Sequence, residues 1–301
     1  MQSRIGMIVP VASVSTDGMS TLQNLYLTKF THQWHSNFAT RPEKLFVGVD
    51  MNLTISLFVK SQLERRNIFT TTYYRWYYGA DGNRSGLFER MNYLNPAIPK
   101  DHPNRFPKLG QDTELDILRK IYDTGMKLQS FYRPSGKKIY YHSGGRYWRK
   151  AIEKKLSSHY KECSIDSDAK DTALASLNSQ LYYWYWISNS NCMDVVAREV
   201  DSFPVPRVRD GFPTLLRRLF NGYFANAEKR VREGERINTT EVNFDVKLSK
   251  PIIDEIDKVL AKHYGFSEEW LDFIPPKGEA RRTGINYDIK YRMGKELEGE
   301  E

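Results

Sequence analysis

Five consecutive aromatic residues, Tyr182-Tyr183-Trp184-Tyr185-Trp186, constrain this chain more than any other segment. Successive side chains turn about a helix axis and alternate across a strand, so no regular element points five adjacent rings one way. Several of these rings therefore belong to a core, and base stacking by the run is the lesser alternative. The run ends a segment, residues 173–187, that begins with helical spacing. A core of that kind is within reach of the chain. Its 301 residues suffice for two ordinary domains, and 40% are hydrophobic against 27% charged, a balance unlike that of a disordered tail.

Aromatic residues make up 13% of the sequence, many of them beside Arg or Lys, and the formal net charge is +8. That mixture suits a surface that stacks on bases and pairs with phosphates, and it points to nucleic acid or an anionic membrane surface. A membrane-spanning segment is excluded, because no apolar run reaches about 18 residues. Residues 1–10 lack the apolar core and cleavage site of a signal peptide. Cys163 and Cys192 are too few for a disulfide framework or a cysteine zinc site. They read as buried free thiols in a reducing cytoplasm, which makes the expected location cytoplasmic.

The first segment, Ile5-Gly6-Met7-Ile8-Val9-Pro10, reads as a short buried strand closed by proline. Leu22, Leu25, Tyr26 and Phe30 follow at helical spacing. A strand leading straight into a helix implies a parallel sheet whose other strands come from elsewhere. Residues 44–49 and 53–59 are two further strand candidates, and the polar connection at 50–52 predicts an antiparallel hairpin between them. The β-prone run 69–78 reads as a strand whose tyrosines cover a small core rather than as a strand on DNA. Helices are predicted over 111–128, with Leu115, Leu118, Ile121 and Tyr122 on one face, and over 213–234, with Leu215, Leu216, Leu219, Phe220, Tyr223 and Phe224. Ser249 with Pro251 predicts a helix start and Gly265 its stop, with a short helix after Ser267. Arg281 and Arg282 read as a loop, and the acidic end 296–301 as frayed.

Candidate binding residues gather in residues 136–150, where cations and rings alternate around glycines. Lys137, Lys138, Arg146, Arg149 and Lys150 are placed to meet phosphates, and an Arg fork also matches a guanine edge. Tyr147 and Trp148 would pack beneath them; a solvated basic face seldom carries adjacent Tyr and Trp. Ser188, Asn189 and Asn191 read as a polar loop that either contacts phosphate and bases or is a plain turn.

Taken in order, several segments resemble the end of the catalytic domain and the target-recognition region of class-gamma DNA adenine methyltransferases, in particular the type IIG-like enzymes. They are the Gly6–Pro10 strand, Trp34 to Phe46, Leu53 to Val59, Gly144 to Arg149, Leu177 to Ser179 with the aromatic run, Ser202 to Pro206, Ser249 to Asp257 and Asn286 to Arg292. The resemblance implies an α/β remnant, the end of a Rossmann-like methyltransferase sheet with an antiparallel hairpin, followed by an α+β target-recognition domain. It divides the chain into the end of the catalytic domain at 1–66, a DNA target-recognition region at 67–245 and a C-terminal helical segment at 246–301. Phe58 matches the ring that stacks on the flipped adenine in the family, with an ordinary core phenylalanine as the equal alternative, and Lys60 beside it would contact DNA.

Two family motifs are missing from the sequence. Methyl transfer to an amine needs a glycine-rich turn for S-adenosylmethionine and an Asp/Asn/Ser-Pro-Pro-aromatic loop for the target base. Ile274-Pro275-Pro276-Lys277 and Asn95-Pro96-Ala97 each lack part of that loop, and Ser143-Gly144-Gly145-Arg146 follows no buried strand. The expectation is therefore sequence-specific binding of double-stranded DNA within a restriction–modification system, with no catalytic residue, no metal and no cofactor held by this chain alone. S-adenosylmethionine belongs to the complete family enzyme, and a separate chain carrying the cofactor half would be a second partner. The alternatives are a protein-interaction subunit docking a separate catalytic chain, and an intact methyltransferase with divergent motifs.

Overall fold

A computed structural model of the chain describes residues 3–41, 44–61, 67–75, 86–89, 91–96, 106–144, 150–207, 211–232, 239–266 and 270. Within 228–241 and at 247 it describes the backbone only. These residues form a mixed α/β protein that divides into two compact units, one of residues 1–119 with 185–192 and the other of 120–184 with 193–274.

The first unit is built on one mixed sheet of β1 (Ser3–Pro10), β2 (His32–Phe38), β3 (Leu53–Lys60) and β4 (Asn67–Tyr74), in the order β1-β3-β2-β4. β3 runs antiparallel to β1 and to β2, while β4 runs parallel to β2. Antiparallel pairing does occur here, but not between the segments expected. Residues 44–49 turn rather than extend: Gly48 sits at φ +82 and Val49 N–H donates to Phe46 O at 3.3 Å. The partner of β3 is β2 instead. Nor is β1 buried as expected. It lies at the sheet edge, where Ile5 keeps 46% and Ile8 53% of its surface exposed. β4, placed by the resemblance in the recognition region, is hydrogen-bonded into this first sheet.

Between β1 and β2 run α1 (Ala12–Ser15) and α2 (Ser20–Lys29). Val11, Val14, Tyr26, Phe58 and Phe106 form a buried cluster on one face of the sheet, joined by Met7, Leu22 and Phe30. His35 is buried beside it, with Nδ1 at 3.0 Å from Ser56 Oγ, and burial pushes its pKa down to about 3. On the other face Phe38, Leu45, Leu53 and Leu87 cluster, and Trp34 stacks on Phe69 at 5.6 Å. α3 (Asp112–Thr124) begins in this unit. Its buried Glu114 accepts Gly110 N–H at 2.7 Å and Thr72 Oγ1–H at 3.2 Å.

The second unit opens with β5 (Met126–Lys127), followed by β6 (Tyr132–His142), β7 (Ala151–Ile152) and β8 (Tyr160–Ile165). The last three form an antiparallel sheet in the order β7-β6-β8. α4 (Lys170–Leu177) and α5 (Gln180–Asn189) come next, residues 185–189 of α5 belonging to the first unit, then α6 (Ala197–Asp201) and β9 (Pro204–Val205), which pairs with β5. α7 (Phe212–Ala225), the hairpin β10 (Ala227–Arg232)–β11 (Thr239–Phe244) and α8 (Lys250–Tyr264) complete the described elements.

The aromatic run is helical, and all five of its rings are buried, more than the several expected, because α5 is enclosed on every side. The Asp257 carboxylate on α8 accepts Gln180 N–H at 3.0 and 3.3 Å, satisfying the first donor of α5 from another helix. Burial pushes the Asp257 pKa up to about 7. α7 stops at Ala225 rather than running to 234: Asn226 folds back onto Gly222 O, and the chain then extends into β10. α8 matches its expected bounds, with Pro251 in the first turn and Gly265 at φ +71 closing the last. Both cysteines are buried free thiols. No helix among the described residues is long and apolar enough to cross a membrane.

Candidate nucleic-acid interface

Alternation along β6 divides the three-stranded sheet into two faces. Ile139, Tyr141, Cys163 and Ile165 point to the core, while Lys138, Tyr140 and Glu162 occupy the opposite face, with Lys138 and Glu162 exposed. Lys137 and Lys161 stand exposed toward the strand ends. A bulge sets this register: the pairing shifts between Tyr132 and Lys137, and Gly136 lies so close to β8 that a Cβ there would sit 2.4 Å from Ile165 O.

Residues 132–165, which span this sheet, contain nine Lys and Arg but only two Asp and Glu. The excess is nearly the whole formal charge of +8 carried by the chain. Among the described residues, two of these cations are paired with carboxylates. Lys138 Nζ lies 3.0 Å from Glu162, whose carboxylate also accepts Tyr140 O–H at 3.1 Å, and Arg133 lies 3.5 Å from Asp166. Lys138 is held protonated by Glu162, which is itself held ionised by Lys138. Lys137, Lys154, Lys155 and Lys161 have no ion pair among the described residues.

The β6–β7 connection carries the densest group of candidates. Arg146, Tyr147, Trp148 and Arg149 lie outside the described residues, as do the predicted helix after Ser267, Arg281, Arg282 and residues 296–301. The base of that connection is fixed: His142 N–H donates to Lys150 O at 2.9 Å, and Ser143 N–H to His159 O at 2.8 Å. Lys150 Nζ lies over the Phe244 ring at 5.6 Å. His142 meets Tyr160 edge-on at 5.0 Å, and the His159 ring lies 5.9 Å away.

Lys137, Lys138 and Lys150 belong to one hairpin, Lys137 and Lys138 on opposite faces of β6 and Lys150 across from His142 at its far end. The remaining candidates are not part of it. Phe58 is 1% exposed, with Tyr26 at 4.7 Å and Phe30 at 4.5 Å against its ring, so its place in this fold is that of a core residue. Lys60 lies in the first unit, exposed opposite Ser3 at the end of β3. Ser188 and Asn189 are no surface loop. They end α5, 1% and 2% exposed, and Asn189 Nδ2–H donates to Tyr185 O at 2.8 Å. The backbone around them is also committed, with Ser188 O accepting Lys108 N–H at 2.8 Å, Ser190 O accepting the buried Lys108 ammonium, and Asn191 O accepting Asn52 Nδ2–H at 2.8 Å. The end of α5 accommodates these polar residues because Asn189 Nδ2–H and the Ser188, Ser190 and Asn191 carbonyls find internal partners.

Sequence reasoning passed over Lys154, Lys155 and Lys161. Counting charge across the whole segment between Tyr132 and Ile165, rather than around its glycines alone, would have found them. The described residues hold no group of three or more His, Cys, Asp or Glu arranged to bind a metal. Cys163, with its pKa pushed up to about 11 by burial, is poorly suited to act as a nucleophile. No protein-family model matches this chain, and no curated protein matches it.

Proposed function

We propose that this chain binds double-stranded DNA as the recognition portion of an adenine-specific DNA methyltransferase of the restriction–modification type. The observation that carries the reading is the charge of the segment that contains β6, β7 and β8, nine cations against two anions across Tyr132 to Ile165. A cationic, ring-bearing hairpin of this kind suits the phosphate backbone, which supplies most of the affinity of such proteins. The methyltransferase part of the proposal rests on the resemblance and draws support from the first sheet. There β3 lies between β1 and β2 and runs antiparallel to both, which suits a sheet that ends in an antiparallel hairpin. The proposal gives the chain no catalytic residue, and S-adenosylmethionine enters only with the complete family enzyme.

The test is fluorescence anisotropy of a labelled duplex between about 50 and about 200 mM salt, where phosphate-dominated binding loses orders of magnitude in affinity. Steep loss of binding supports the reading; undetectable binding at the lowest salt contradicts it.

One observation favours a second reading, docking of a separate catalytic chain. β1 leaves its outer edge without a strand partner among the described residues and exposes Ile5 and Ile8 on opposite faces. Pull-down with and without nuclease separates the two: capture that survives nuclease treatment supports docking.

A further inference from the structure

α7 is amphipathic. Its buried side is Phe212, Leu215, Leu216, Leu219 and Tyr223. On the opposite side Thr214, Arg217, Asn221 and Phe224 fall at helical spacing along one stripe, and all four are exposed, Phe224 at 48%. The helix contains no Asp or Glu. Its two arginines are put to different uses. Arg218 is held in a two-pronged pair with Glu255 at 2.7 and 2.8 Å, whereas Arg217 has no ion pair among the described residues.

α7 is tied to the base of the basic hairpin through Tyr223 on its buried side and through Phe224 at the end of the stripe. Tyr223 O–H donates to Asn178 Oδ1 at 3.1 Å, and the Asn178 amide in turn holds both backbone groups of Ala151 on β7, at 3.2 and 2.7 Å. The exposed ring of Phe224 meets Phe244 edge-on at 5.3 Å, and Lys150 lies over the same Phe244. One buried amide and one shared ring therefore fix α7 to the base of the connection that carries Arg146 and Arg149.

We propose that α7 is a base-reading helix, entering the major groove of duplex DNA on its Thr214, Arg217, Asn221 and Phe224 face. The inference rests on the DNA-binding reading and adds to it where sequence is read. Arg and Asn are the side chains that pair two-pronged with the edges of guanine and adenine, and Thr and Phe meet the thymine methyl. Four residues of helix rise about 6 Å, so the bases met by Arg217 and Asn221 lie about two base pairs apart.

The experiment is selection from a random-sequence duplex library with the wild-type chain and with Arg217→Ala, Arg217→Lys, Asn221→Ala and Phe224→Ala, each checked by thermal melting. Salt dependence is measured in parallel on a fixed duplex. The wild type is expected to enrich a motif. Arg217→Lys keeps the charge and the salt slope but loses the fork, so discrimination at one base pair should fall about 5- to 100-fold. Asn221→Ala should relax a neighbouring position in the same way. An unchanged motif in all four variants, or a wild type that binds with steep salt dependence and no motif, overturns the base-reading helix and leaves DNA binding standing. Absence of salt-dependent binding removes the DNA-binding reading itself, and with it this inference.

Discussion

At the scale of single residues, burial decides between roles that residue type leaves open. Phe58 is enclosed by Tyr26, Phe30 and His35. Phe58→Ala should therefore destabilise the first unit by about 3–5 kcal/mol, read by denaturant unfolding, while leaving the salt slope of DNA binding unchanged. His35 and Asp257 are two buried titratable groups with opposite consequences. The His35 pKa is lowered to about 3 from 6.5, so its stabilisation is complete above about 6.5 and is lost as pH falls toward 3. The Asp257 pKa is raised to about 7 from 3.8, so its stabilisation is complete below 3.8 and is lost as pH rises through about 7. Denaturation midpoints followed across pH 3 to 8 should show the acid-side loss vanish in His35→Gln, and the loss toward neutrality vanish in Asp257→Asn. A pH profile unchanged by either substitution contradicts these assignments.

At the scale of elements, the helices were more legible than the strands. α8 could be bounded from Ser249, Pro251 and Gly265, because caps and breakers act locally. Gly265→Ala should cost about 1–2 kcal/mol, measured by chemical denaturation, since φ +71 is a left-handed conformation. The sheets were less legible because pairing is non-local. Residues 44–49 look as extended as residues 32–38, and only the positive φ of Gly48 in the folded chain separates them. The same limit hid the candidate surface. Residues 136–150 advertise their charge, but the alternation that leaves Lys138 and Glu162 exposed depends on a bulge next to Gly136. Gly136→Ala should therefore disturb the β6–β8 register and weaken DNA binding, even though it removes no charge. Polar residues 188–191 misled for the complementary reason: a helix end can bury such residues once each has an internal partner.

At the scale of the whole molecule, charge is unevenly spread. The stretch from Tyr132 to Ile165 carries almost all of the net +8, and it belongs to the second unit. Affinity for DNA should accordingly follow cations on β6–β8 and respond little to core substitutions elsewhere that leave the fold intact. The most direct measurement is the slope of log affinity against log salt for the wild type and for a double variant, Lys137→Ala with Lys161→Ala. Steep salt dependence is expected in the wild type and a slope shallower by about 2 in the variant, one for each phosphate contact removed, with weakening on every duplex sequence alike. A variant whose slope and affinity match the wild type, or a wild type whose binding ignores salt, contradicts this expectation.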